Sequence, residues 1–205
     1  FPEAEVFSEK FEVLRFEYIE EIKDKEGDIE GENGIIIDLA AYRGGTGYEQ
    51  GRLTEASYVP TVEEDLACRD FTVNAIAESH NQLIDPYNGR EDIKNKLIRT
   101  VGDAEVRFRE DPLRMLRAIR MASELDFDLH QSVYQAIVAN HNLLKTTSMT
   151  RIRDEFTGIL SAPAAGKGLS MLLDTGLISD IIGQDVVDRL NKREMQDLTT
   201  LSKNI

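Results

Sequence analysis

Apolar positions recur every three or four residues through the second half of the chain. Leu113, Leu116, Ile119, Ala122 and Leu125 share one face if residues 111–125 are helical. The same spacing predicts helices over 103–109, 130–142, 149–160, 164–174 and 176–190. Breaks fall at Phe127-Asp128, Thr146-Thr147-Ser148, Pro163 and Thr175-Gly176. Before residue 100 the pattern differs. Val6, Phe11, Val13, Phe16 and Tyr18 alternate imperfectly with charges and predict a strand over 11–18. Residues 23–34 are polar and glycine-rich and read as a loop ending in the Asn33-Gly34 turn. Ile35-Ile36-Ile37-Asp38-Leu39 follows as an apolar strand, so the segment predicts a hairpin.

Residues 43–60 carry Arg43-Gly44-Gly45-Thr46-Gly47 and read as a mobile loop. This cluster lacks the spacing of a dinucleotide-binding turn and lacks a Walker lysine. Thr61 and Glu64 match a capping box, and the helix they open is expected to run to Ala77. A short strand at Leu83-Ile84, a turn at Asn88-Gly89, a helix over 92–97 and a strand over 98–101 complete this half. The expected class is α+β: a β-rich unit over 1–100, then an all-helical unit over 101–205.

Composition sharpens one region. The 205 residues carry a net charge of −14, a poor starting point for a phosphate binder. The charge is uneven: residues 1–34 hold twelve acidic and four basic side chains, whereas 99–120 hold six arginines and four acids. One cysteine, Cys68, excludes an intrachain disulfide and points to the cytosol. No apolar run approaches a membrane span, and Phe1-Pro2-Glu3-Ala4-Glu5 does not open a signal peptide. His80, His130 and His141 have no ligand-like spacing.

The basic island contains a row. Asp111, Arg114, Arg117 and Arg120 recur every three residues, with Asp111 placed to cap the helix and Pro112 at its first position. A carboxylate only accepts hydrogen bonds and a guanidinium only donates them. One turn apart, Asp111 could accept from the amino group of cytosine or adenine while Arg114 donates to a ring nitrogen. Arg117 and Arg120 could meet phosphates. The alternative is a solvated salt-bridge ladder, worth tenths of a kcal/mol per pair. Asp38 poses a similar choice. It is either a solvent-facing acid on a strand or a catalytic or metal-binding one.

Four blocks in order resemble the class II nucleotidyltransferases, the CCA-adding tRNA nucleotidyltransferases and bacterial poly(A) polymerases. Arg69-Asp70-Phe71-Thr72-Val73-Asn74-Ala75-Ile76-Ala77 resembles RRDFTxNAxA, and Asp85-Pro86, Gly89 and Asp92 resemble DPxxGxxD. Residues 110–120 resemble EDPLRxLRAxRF, with Met121 at the last position. Arg151-Ile152-Arg153-Asp154-Glu155 resembles ERIxxE, with Thr150 in place of the first acid. The resemblance implies a partial nucleotidyltransferase head followed by a helical neck that binds nucleotide and RNA. It implies that Asp111 and Arg114 read the base of CTP or ATP and that Arg117 and Arg120 hold sugar or phosphates. It places Asp70 and Asn74 at the pocket floor and includes Arg69 and Glu110 among the nucleotide-binding residues. Residues 35–43 resemble the strand EVTTFR, which puts Asp38 at the catalytic acid and Arg43 at the arginine.

Departures are equally specific. The family's Gly-Gly loop and Asp-x-Asp strand, which bind two Mg²⁺ ions, have no counterpart before residue 35, and Cys68 replaces the first arginine of its block. The expected chain is therefore a fragment, a degenerate homologue, or one whose missing piece lies on another chain. The function implied is CCA addition to tRNA 3′ ends, this chain carrying nucleotide selection. Poly(A) addition and non-catalytic nucleotide or RNA binding are the alternatives.

Overall fold

The computed structural model describes residues 5–8, 13–23, 29–49 and 52–189. Antiparallel strands β1 (Glu5–Ser8), β2 (Val13–Lys23) and β3 (Ile29–Ala40) form one sheet in that order. The expected hairpin is present, but it is longer than the sequence pattern implied. Asn33 lies within β3 opposite Glu20, and Gly34 opposite Ile19, so Asn33-Gly34 is not the turn. β2 supplies backbone partners along this segment, and such pairing places no demand on side-chain polarity. Phe11, which was included in the expected strand, lies outside the described residues.

The supposed loop over 43–60 is also a hairpin, β4 (Arg43–Glu49) and β5 (Arg52–Tyr58). Its strands hold each other by cross-strand hydrogen bonds, which no hydrophobic alternation advertises. A two-stranded pair, β6 (Ala77–Ser79) and β7 (Gln82–Ile84), follows further on.

Helix α1 (Val62–Ala67) starts as its capping box predicts, with the Glu64 N–H donating to Thr61 Oγ1 at 3.4 Å. It does not run to Ala77. Phe71 takes extended backbone and bridges Thr100, the Thr72 N–H donates to the Arg99 carbonyl, and the Val101 N–H to that of Asp70. Pairing with a distant strand thus overrides local helix propensity. Helix α2 (Gly89–Lys94) begins earlier than expected because Asp85 accepts from the N–H groups of Gly89 and Arg90, at 2.7 and 3.0 Å. Gly89 is required by close approach: a Cβ there would lie 2.1 Å from the Thr72 carbonyl oxygen. Asp92, at 3% exposure, then receives the Thr72 hydroxyl at 2.7 Å and Arg99 Nη2 at 3.0 Å. The DPxxGxxD block therefore builds the support behind Asp70 and Asn74.

The second half is helical as read: α3 (Ala104–Glu110), α4 (Leu113–Leu125), α5 (Gln131–Asn140), α6 (Met149–Ser161) and α7 (Ala165–Asp174). The expected helix over 176–190 is two, α8 (Leu177–Ile182) and α9 (Gln184–Arg189), separated by Gly183 at φ 90°. Leu113, Leu116, Ile119 and Ala122 are buried, whereas Leu125 at the helix end is 47% exposed. The main core joins these residues to Phe108, Ile137, Ile152, Ile159 and Leu172. Phe71 and Ile98 enter the same core from the N-terminal side. Beside them β8 (Leu97–Ile98) pairs in parallel with β9 (Asp128–Leu129), a strand the helical pattern concealed.

Candidate nucleotide site

Helix α3 ends at Glu110 and α4 begins at Leu113. Arg107 on α3 donates from Nη2 to the Ala67 carbonyl at 2.5 Å and from Nε to the Val101 carbonyl at 2.8 Å. One arginine thereby holds the helical half against the end of α1. Asp111 joins α3 to α4, and its carboxylate does act as a cap: Oδ1 accepts the Leu113 N–H at 3.1 Å, although the helix proper starts at Leu113. Oδ2 accepts Arg151 Nη2 from α6 at 3.0 Å. Arg114 Nη1 donates to Glu110 Oε2 at 2.6 Å and to the Arg107 carbonyl at 3.2 Å. Asp111 and Arg114 are each 6% exposed, so the base-reading candidates occupy a desolvated niche rather than a solvated face.

The rest of the row reaches outward to other elements. Arg117 Nη2 meets Asp70 Oδ2 at 2.7 Å. Asp70 Oδ1 also accepts the Phe71 N–H at 2.9 Å and Asn74 Nδ2 at 3.2 Å. Asp70, Asn74 and Arg117 therefore form one cluster across the two halves. Arg117 Nε is buried without a partner, a donor whose desolvation is uncompensated. Arg120 Nε donates to Glu155 Oε2 of α6 at 2.6 Å, and its Nη1 to Glu124 at 2.7 Å.

Two charge environments are perturbed. Burial acts to raise the Glu110 carboxyl, but hydrogen bonds and charges from Arg114 and Arg107 outweigh it and hold the group below its ordinary value. Burial likewise opposes the Arg120 charge, and Glu155 and Glu124 overcome it, raising an already strong base. Both groups keep their charge across the neutral range.

Arg69 and Asp38 sit apart from this niche. They line a cleft of ≈ 280 Å³ together with Arg43, Asp65 and Asn74. Asp65, 5% exposed, accepts the Arg43 N–H at 2.8 Å and Arg69 Nε and Nη2 at 3.0 and 2.6 Å. Asn74 is common to the cleft and to the Asp70–Arg117 cluster, so it links the two sets. Asp38 is exposed on β3.

Sequence reasoning missed Asp65, Arg107, Arg151 and Glu155. Arg107 lay inside the basic island, and Arg151 and Glu155 inside the last resembling block, but spacing alone does not assign them partners. Among the described residues, no three His, Cys, Asp or Glu side chains converge as a metal site. The cleft has two carboxylates, Asp38 and Asp65, and Asp65 is engaged by Arg43 and Arg69. These residues do not make up a metal-binding set.

The Poly A polymerase head domain matches residues 3–99, and the probable RNA and SrmB-binding site of polymerase A matches residues 126–182. The CCA-adding enzyme of Lactobacillus helveticus is 42% identical over 164 residues, covering 79% of this chain and 40% of that protein. The chain belongs to the CCA-adding enzyme and poly(A) polymerase family.

The CCA-adding enzyme of Geobacillus stearothermophilus is 45% identical over 146 residues, 70% of this chain and 36% of that protein. Among solved structures, the Bacillus stearothermophilus CCA-adding enzyme in complex with CTP superposes with a TM-score of 0.74. It is 34% identical, over 99% of this chain and 44% of that one. A tRNA nucleotidyltransferase complexed with a primer tRNA and an incoming ATP analog gives a TM-score of 0.64 at 27% identity, over 98% of this chain and 52% of that one. The chain thus spans about 40% of the length of the curated relatives it matches. Family membership implies a divalent metal. Among the described residues, no helix is long and apolar enough to cross a membrane.

Proposed function

We propose that this chain carries the nucleotide-selecting part of a template-independent nucleotidyltransferase that adds CTP- and ATP-derived nucleotides to tRNA 3′ ends. The observation that carries this reading is the burial of Asp111 and Arg114 together at the start of α4, each held by named partners. A desolvated acceptor beside a desolvated donor suits the amino group and ring nitrogen of cytosine or adenine. The uracil and guanine edges place a carbonyl oxygen where these bases place an amino group, and a carboxylate rejects it. Arg117, with its unanswered Nε, and Arg120 supply donors for sugar or phosphate oxygens. Asp70, itself held by Asn74, positions Arg117, and Glu110 positions Arg114, all four at the nucleotide; Arg69 is assigned to nucleotide binding from the neighbouring cleft. Asp38 is assigned to the reacting end of the nucleotide.

The residues of this chain bind and orient. Positioning and charge supply most of the rate in phosphoryl transfer, so a selecting module contributes through geometry. The divalent ion that the family implies, Mg²⁺ in our reading, would supply charge stabilisation to the reacting phosphates, and its ligands would have to come from beyond Asp38 and Asp65. We place the head in residues 1–100 and the neck in 101–205, with a cytoplasmic location. The head match carries the poly(A) polymerase description, which sustains poly(A) addition as the second reading.

Calorimetric binding of CTP, ATP, UTP and GTP, with and without Mg²⁺, tests the reading. CTP and ATP are expected to bind more tightly than UTP and GTP. Equal binding of all four, or none at millimolar concentration, defeats it. Comparing CTP with ATP incorporation into tRNA separates CCA addition from poly(A) addition.

A further inference from the structure

Helix α6 meets α4 and the Asp111 that precedes it through ion pairs of opposite sense. Arg151 Nη2 donates to Asp111 Oδ2 at 3.0 Å, with the two side chains 20% and 8% exposed. One turn later on α6, Glu155 Oε2 accepts Arg120 Nε at 2.6 Å. Residues four apart on a helix share a face, so α6 presents a cation and then an anion to the two ends of the arginine row. Gly158 continues that face. A Cβ there would lie 2.4 Å from Arg120 Cδ, so the bare backbone makes room for the arginine stem.

We propose that Arg151 is the positioning residue that makes Asp111 selective, an inference that rests on the base-reading role of Asp111. The Asp111 carboxylate has two anchors, the Leu113 N–H on Oδ1 and Arg151 on Oδ2. With one anchor it pivots about that bond; with two its plane is set. A carboxylate oxygen accepts more than one hydrogen bond, so Oδ2 can hold Arg151 and still receive an amino group. Rejection of a carbonyl edge is different. It requires that the carboxylate be unable to turn away from the repulsion. Arg151 therefore sets discrimination between bases more than affinity for nucleotides. The two anchors come from different helices, so selectivity is a property of how α6 sits on α4.

The test is calorimetric binding of CTP, ATP, UTP and GTP in Mg²⁺ to the full chain and to Arg151→Ala, Arg151→Lys and Asp111→Ala. Arg151→Ala is expected to lower the preference for CTP over UTP at least about tenfold, the worth of one good base contact. It should do so by strengthening UTP and GTP relative to CTP and ATP, with binding of the triphosphate retained. Arg151→Lys should restore part of the preference. Equal weakening of all four nucleotides marks a merely structural role and overturns the inference. An unchanged preference in Arg151→Ala beside a collapsed one in Asp111→Ala also overturns it, while leaving base reading by Asp111 intact. An unchanged preference in Asp111→Ala removes the base-reading assignment, and this inference with it. If Arg151→Ala does not fold, Arg151→Gln carries the same comparison.

Discussion

Replacing Gly89 by alanine probes the support behind the Asp70–Asn74 cluster. The new Cβ would lie 2.1 Å from the Thr72 carbonyl oxygen and 2.9 Å from Ile76 Cγ1. A backbone carbonyl cannot swing aside as a side-chain tip can, so α2 must retreat by roughly 1 Å to reach ordinary contact. That retreat stretches the 2.7 Å bond from the Thr72 hydroxyl to Asp92 and loosens a carboxylate buried at 3% exposure. Weakening a buried hydrogen bond to a charged group costs about 1–3 kcal/mol. Overpacking adds about 1–3 kcal/mol, and the lower entropy of the unfolded chain returns about 0.4–1 kcal/mol. The net expectation is a loss of about 2–4 kcal/mol. Urea unfolding followed by circular dichroism reads it as a lower midpoint at constant slope. In an Asp92→Asn background, where the bond is already weakened, Gly89→Ala should cost less, because the two changes share one contact. A loss under about 1 kcal/mol, or strict additivity with Asp92→Asn, would show that α2 is not pressed against Thr72 as described.

Gly158→Ala should cost less than Gly89→Ala, about 1–2 kcal/mol, because the obstacle is the Arg120 side chain rather than backbone; a larger cost in the same urea assay contradicts that ordering. Glu110 gives a pH signature. Its depressed carboxyl stabilises the fold fully above its ordinary value of 4.5, and that contribution is lost as pH falls through the folded value. Glu110→Gln should therefore lose less stability between about pH 6 and about pH 3 than the parent, measured by thermal melts, and parallel curves would remove the Arg107–Glu110–Arg114 linkage. Asp38→Asn, at an exposed strand position, should change stability by less than about 0.5 kcal/mol while weakening Mg²⁺-supported CTP binding; unchanged affinity returns Asp38 to a solvated acid.

Local signals were legible where the chain makes its own structure. The helices over 104–174 follow from apolar periodicity, and the Thr61 cap is a contact between near neighbours in sequence. The row from Asp111 to Arg120 was visible for the same reason, since its spacing is that of a helix. Tertiary structure decided which side chains complete the row. Arg151 reaches Asp111 across 40 residues, Arg120 reaches Glu155 across 35, and Asp70 meets Arg117 across the two halves. A solvated ladder and a buried cluster share one sequence pattern, and they differ only in what packs over it. The full length of the first hairpin, the whole of the second and the end of α1 were hidden for the converse reason. Their hydrogen bonds go to backbone of another segment, the adjacent strand for the hairpins and Thr100 for Phe71, and backbone partners leave no mark in side-chain pattern.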